Sequence, residues 1–173
     1  MGLWFFSGKG DEGKTNLFDG STVKKNDPIL EVIGSMDELT AFIGLAISFC
    51  DQTVITGDLR KTQDILSKMM GIAAGAGSIV TNSEIFLSGT LTWMEKRIHY
   101  YGEMLDNPQG FIYSGSTSLG AALDVARTVT RRAERAAVGI LSDGEKLPVL
   151  WISVINRLSS LFYVMRLYVD NQK

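Results

Sequence analysis

Hydrophobic residues along this chain recur at the three- and four-residue spacing of helices buried on one side. Leu39, Phe42, Ile43, Ala46, Ile47 and Cys50 predict a first helix over about 35–51, and the Ser35 to Glu38 spacing has the form of a capping box. A second helix is predicted over about 57–79, with Leu59, Ile65, Leu66, Met69 and Ile72 inward and the small-residue run "GIAAGAGSIV" at its end. The third starts near Ser83, again as a capping serine, and runs through "LTWMEKRIHYYGEML" to the "DNPQG" break. From near Ser116, "AALDVARTVTRRAERAAVGIL" forms the fourth, ending at "SDGEKLP"; "VLWISVINRLSSLFYVMRLYV" is the fifth.

Five long helices joined by short polar turns predict an all-α fold, an antiparallel five-helix bundle. The first 33 residues carry Gly10, Gly13, Gly20 and Pro28 with no sustained period, so they read as an extended N-terminal arm. No repeat or linker divides the rest, and residues 1–173 are expected to form one domain, the arm over 1–33 and the bundle over 34–173. A chain of 173 residues buries enough surface to fold without disulfide or metal staples.

Composition narrows the chemistry. The single histidine, His99, excludes a multi-histidine metal site within one chain, and Glu95 with His99 cannot supply the paired motifs of a di-iron bundle. The lone Cys50 has no partner for an internal disulfide and reads as a small core residue. A formal net charge of −2 argues against a nucleic-acid surface, so any polyanion site must be a local cluster. No run approaches about 18 apolar residues, and "MGLWFF" lacks the form of a signal peptide; neither a membrane nor export is expected, and the cytoplasm is the expected compartment.

"GKGDEGKT", Gly8 to Thr15, satisfies the P-loop pattern at every position. A P-loop needs a strand before it and a helix beginning at its Lys-Thr, whereas "NLFDGSTVKKNDP" follows with turn signals and no helical period. Two readings remain: a solvated terminus, or a glycine-rich arm closing on an anion through the Gly10 and Gly13 amides and the charges of Lys9, Lys14 or Lys25. In "RTVTRRAER", four arginines in nine residues, Arg127, Arg131 and Glu134 share one helical stripe opposite the apolar one. That stripe is either a solvated face or a phosphate site built on guanidinium forks. Asn156, flanked by Ile155, Leu158 and Phe162, is either a structural amide of the core or a ligand contact.

Together these motifs resemble the PduO-type ATP:cob(I)alamin adenosyltransferases. The matches are "GDEGKTNLFDG", "VKKNDP", "GSMDEL", "ARTVTRRAER" and "INRLSSLF", in the family's order and spanning nearly the whole chain. The resemblance implies a homotrimer with active sites between adjacent subunits, the arm of one and the arginine helix of its neighbour gripping ATP. It assigns Ser7, Gly8, Lys9, Gly10, Asp11, Gly13, Lys14, Thr15 and Lys25 to the nucleotide arm. Arg131 becomes the phosphate contact, Asn156 a group near the nucleoside, and Glu134 the acid of the same site. Asp37 is expected to pair with Arg127 across the subunit boundary, and Phe111 to face the corrin and keep cobalt's lower axial position empty.

The implied reaction is attack of cobalt(I) on the 5′ carbon of ATP, with triphosphate leaving and Mg2+ held mainly by the nucleotide rather than by a dedicated protein site. A cobalamin reductase and an adenosylcobalamin-dependent enzyme are the implied partners. The chain departs from the family at Ser7 and Gly8, at Ser114-Gly115-Ser116 where proline-glycine-glycine is usual, at Asp124 where histidine is common, and at Ser160 where aspartate is usual. A nucleotide- or cobalamin-binding delivery trimer without turnover is the alternative.

Overall fold

The computed structural model describes residues 10–75, 81–142 and 147–172. Five helices are described: α1 Pro28–Ser48, α2 Thr53–Ala73, α3 Ser83–Gly102, α4 Ser118–Ser142 and α5 Trp151–Asp170. α1 packs on α2 and α4, α4 on α5, and α5 on α3. Apolar stripes from every helix meet in one core, where Met36, Ile43, Leu66, Leu123, Leu158 and Phe162 are fully buried. Each such side chain removed from water contributes about 1.5–3 kcal/mol. Small residues on the inner face of α4, Ala122, Ala126, Ala133 and Ala137, let the flanking helices approach it closely.

α1 begins well before the expected Ser35. Asp27 is its N-cap, the side chain accepting a hydrogen bond from the Ile29 amide at 3.0 Å, and Pro28 occupies the first helical position. Ser35 is buried inside the helix, and Glu38 forms an ion pair with Arg132 of α4 instead of reaching back. Gly34 did not stop the helix because Val32, Met36 and Leu39 keep the inward stripe running across it. Ser83 is likewise not a cap: Asn82 precedes α3, and Ser83 is its first residue. α2 starts at Thr53 rather than near 57 and ends at Ala73, the third residue of the small-residue run.

The arm has more structure than its sequence suggested. β1, Lys14–Asn16, pairs antiparallel with β2, Thr22–Lys24, setting Lys14 opposite Lys24 and Thr15 opposite Val23. The hairpin tip sits on the end of α2, where the Phe18 amide donates to the Ala74 carbonyl at 2.9 Å. Gly75 permits this contact: its φ is +77°, and an added Cβ would lie 2.9 Å from the Asp19 Cβ. The Ser21 hydroxyl and amide hold the Asp19 carboxyl below its ordinary value.

Across the bundle, Asp58 of α2 accepts from Arg97 Nε at 2.7 Å and from the Tyr101 hydroxyl at 2.6 Å, both on α3. Burial, then the Asp58 hydrogen bond, pushes the Tyr101 hydroxyl above its ordinary value.

Candidate functional site

Three groups of candidate residues lie on the hairpin, the outer face of α4 and the loop before α4. On the hairpin, Ser7, Gly8 and Lys9 fall outside the described residues. Thr15 is in a strand, not at a helix N-terminus, and the next helix begins at Pro28, so the P-loop pattern has no P-loop geometry here. Gly13 has φ +73°, and its carbonyl accepts from the Lys25 amide at 2.8 Å. The Lys25 ammonium lies over Gly10, 2.9 Å from where a Cβ would stand. Lys14 and Lys24 are directly opposed and exposed. Like charges facing each other across two strands are unfavourable without a counter-charge, so the hairpin presents a basic edge suited to an anion. Lys24 lies in the "VKKNDP" motif, but nothing local sets it apart beside Lys25, because sequence alone does not show that it faces Lys14. Asp11 is exposed on the same arm.

The arginine face divides by partner. Arg127 Nε donates to Asp124 of the same helix at 2.6 Å. Arg132 is taken by Glu38. The exposed Arg131 side chain has no hydrogen bond or ion pair among the described residues, leaving its whole guanidinium fork available. Glu134 accepts from Asn156 Nδ2 of α5 at 2.9 Å, so the structure brings together two candidates 22 positions apart. Asn156 is half-buried, and its Oδ1 accepts from Arg157 Nη1 at 3.4 Å, while Arg157 Nε donates to Glu95 at 3.1 Å. Glu95 is thereby occupied, and His99 sits against Glu103 at 2.8 Å on the exposed side. Asp37 is exposed on α1 and does not meet Arg127 within one subunit.

Before α4, Phe111 and Tyr113 are 84% and 80% exposed, their rings edge to face with centroids 5.1 Å apart. Two neighbouring aromatics exposed this far form an apolar patch of the kind found at interaction surfaces. The loop is fastened from below. Ser114 Oγ donates to Asp124 Oδ2, Arg166 Nη2 of α5 donates to the Tyr113 carbonyl, and Thr117 Oγ1 donates to Asp170 Oδ1 at 2.7 Å. Arg166 and Asp170, 3.0 Å apart, are both nearly buried. Burial would raise the Asp124 carboxyl, but hydrogen bonds from Arg127 and Ser114, with the Arg127 and Arg166 charges, outweigh it and hold it below its ordinary value. A cavity of about 250 Å³ lies beside this network, lined by Ser114, Gly115, Ala121, Asp124, Val125 and Thr128.

Asp124, Arg127, Arg131 and Glu134 therefore follow one face of α4 from the aromatic loop to Asn156. The hairpin does not reach that face. It packs at the other end of the bundle, over a cavity of about 600 Å³ whose lining includes Val23, Ile72 and Ile140. Along α4, Arg131 and Ile140 are about 13 Å apart. No hydrogen bond or ion pair joins the hairpin to Arg127, Arg131, Glu134 or Asn156 among the described residues. Among those residues, no group of three or more His, Cys, Asp or Glu side chains is placed to hold a metal, and no helix is long and apolar enough to cross a membrane.

A family model described as cobalamin adenosyltransferase matches residues 5–169. The corrinoid adenosyltransferase of Mycobacterium tuberculosis (strain ATCC 25618 / H37Rv) is 34% identical over 169 residues, covering 90% of this chain and 83% of that one. That of Bacillus subtilis (strain 168) is 31% identical over 156 residues, covering 89% and 80%. Among solved structures, a variant PduO-type ATP:corrinoid adenosyltransferase from Lactobacillus reuteri, complexed with cobalamin and ATP, superposes with a TM-score of 0.86 at 29% identity, covering 96% of this chain and 93% of that one. A further variant from the same organism, complexed with ATP, gives a TM-score of 0.85 at 29% identity, covering 96% and 94%.

Proposed function

The chain belongs to the cobalamin adenosyltransferase family, and we propose that it transfers the 5′-deoxyadenosyl group of ATP to cob(I)alamin, releasing triphosphate. The observation that carries this reading is the single face of α4 that runs from beside the exposed Phe111 and Tyr113, past Arg127 and Arg131, the latter without a partner among the described residues, to Glu134 and Asn156. Such a face offers a flat apolar surface at one end and a phosphate-binding charge further along. The similar Lactobacillus reuteri structure carrying both cobalamin and ATP supports the same pair of ligands.

In this reading, cobalt(I) uses its electron pair to form the Co–C5′ bond, and the C5′–O bond breaks with its pair going to the triphosphate. Charge grows on the leaving oxygen, so fixed cations aimed there lower the barrier. Arg131 supplies a free fork for the phosphates, and Arg127 adds a second guanidinium already oriented by Asp124. Asn156 and Glu134 form one hydrogen-bonded unit beside the nucleoside.

The hairpin of a neighbouring subunit brings Gly10, Asp11, Gly13, Lys14, Thr15 and Lys25 over the triphosphate, and Asp37 meets the neighbour's Arg127. The separation of hairpin and arginine face within one subunit supports a homotrimer with its sites at the boundaries. Phe111 lies against the corrin and excludes water from the lower face of cobalt, while alignment of cobalt with C5′ supplies much of the rate. No side chain acts as a general acid or base.

The residues fit Mg2+ as an ion carried by the nucleotide: Asn156 engages one oxygen of Glu134, leaving the other for a cation. When bound, the ion neutralises triphosphate charge. The reading sets the reaction in the cytoplasm, beside a reductase that supplies cobalt(I) and an enzyme that uses adenosylcobalamin.

The test is anaerobic incubation of the purified protein with ATP, Mg2+ and chemically reduced cob(I)alamin, following adenosylcobalamin by its absorbance and triphosphate by chromatography. Equimolar products support the transferase. ATP binding with no adenosylcobalamin overturns it in favour of a delivery protein.

A further inference from the structure

The least exposed carboxylate on the outer face of α4 is Asp124, at 8%, and its two oxygens point to different parts of the molecule. Oδ1 accepts Arg127 Nε at 2.6 Å, and Oδ2 accepts the hydroxyl of Ser114, one residue after Tyr113. The Tyr113 carbonyl is itself held by Arg166, whose charge stands beside Asp170. Asp124, Arg127, Arg166 and Asp170 thus form two acids and two bases with the aromatic loop strapped over them. Gly115 follows with φ +101°, a backbone conformation that glycine adopts without strain, so the chain turns directly after the Ser114 tie.

From this geometry we propose that Asp124 is a positioning residue, one oxygen fixing the Phe111–Tyr113 loop to the arginine helix through Ser114 and the other setting Arg127, so that a single carboxylate serves both corrin seating and the phosphate-facing guanidinium. The inference rests on the proposed transferase reading. It adds that Ser114 and Asp124 form a matched pair. A loop without a proline step is held at this point by a charged hydrogen bond, and an acid without a loop hydroxyl would leave one oxygen buried and unpaired. Ser114 acts on the corrin end alone. Asp124 acts on both ends, because it also orients the guanidinium that faces the phosphates.

The experiment compares wild type with Ser114→Ala, Ser114→Thr, Asp124→Ala and the Ser114→Ala/Asp124→Ala double variant. Readouts are the KM values for ATP and cob(I)alamin, and the Kd for hydroxocobalamin from quenching of protein fluorescence. Ser114→Ala is expected to raise corrinoid KM and Kd about tenfold, the scale of one hydrogen bond to a charged acceptor, with ATP KM within about twofold. Ser114→Thr, which keeps the hydroxyl, should restore most of that loss. Asp124→Ala should raise both KM values, and the double variant should bind corrinoid no worse than Asp124→Ala alone.

A corrinoid Kd unchanged in Ser114→Ala, equal effects on the two substrates, failure of Ser114→Thr to rescue, or additivity in the double variant each overturn the proposal. Because Kd needs no turnover, a wild type that makes no adenosylcobalamin sinks the transferase reading, whereas the Kd series judges the loop tie by itself.

Discussion

Replacing Arg166 with methionine removes the cation on which the last turn of α5 and the aromatic loop both depend. The Arg166 side chain is 2% exposed and that of Asp170 10%. Methionine fills the space of the aliphatic stem, so cavity cost is small and the change is chiefly electrostatic. Asp170 keeps the Thr117 hydroxyl but loses its cation, while the Tyr113 carbonyl loses its donor. Removing one partner of a buried pair costs about 3–5 kcal/mol, because the other charge stays buried without compensation.

For a domain of this size each kcal/mol moves Tm by about 2–4 °C, so Arg166→Met should lower it by about 6–20 °C. The assay is thermal circular dichroism at one fixed protein concentration, since assembly also shifts Tm. Arg166→Met/Asp170→Asn should be more stable than Arg166→Met, because no unpaired charge then remains. A Tm fall under about 4 °C in the single variant, or plain additivity in the double, would refute the reasoning.

Arg131→Ala should lower kcat by about a hundredfold or more while leaving Tm unchanged, since the side chain has no partner to lose among the described residues; near-normal turnover removes Arg131 from the mechanism. Gly120→Ala would set a Cβ 2.8 Å from Thr117 Oγ1 and against the Asp170 carboxylate, so Tm should fall; a Tm equal to wild type shows that the loop yields. The Asp124 carboxyl lies below its ordinary 3.8, so its stabilisation is complete above that value and disappears as pH falls through the lower folded value. Urea midpoints of wild type and Asp124→Asn should therefore differ by a constant amount from about pH 5 to 8 and converge in stronger acid; a gap that persists there contradicts the assignment. Asp37→Asn should loosen the proposed trimer or weaken ATP binding, and unchanged sedimentation with unchanged ATP affinity argues against its proposed pair with Arg127.

Local pattern carried the number and order of the described helices, because burying one face imposes a period on neighbouring residues that needs no knowledge of the partner. It carried the clustering of the candidate residues for the same reason: Arg127, Arg131 and Glu134 share a stripe on any helix they occupy. Boundaries were less legible. Asp27-Pro28 starts α1, yet Ser35 and Glu38 imitate a start, since the same spacing serves a buried serine and a carboxylate turned toward Arg132. Strands of three residues are too short to show a period, so the sequence of the hairpin has the look of an arm without regular structure. The pairings that give the site its geometry came only with packing. Ser114 meets Asp124 across 10 positions, Asn156 meets Glu134 across 22, and Thr117 meets Asp170 across 53. None of these residues carries a mark of its partner, because a hydrogen bond between distant positions is defined by where the helices place the two side chains, and that placement is the work of the apolar core.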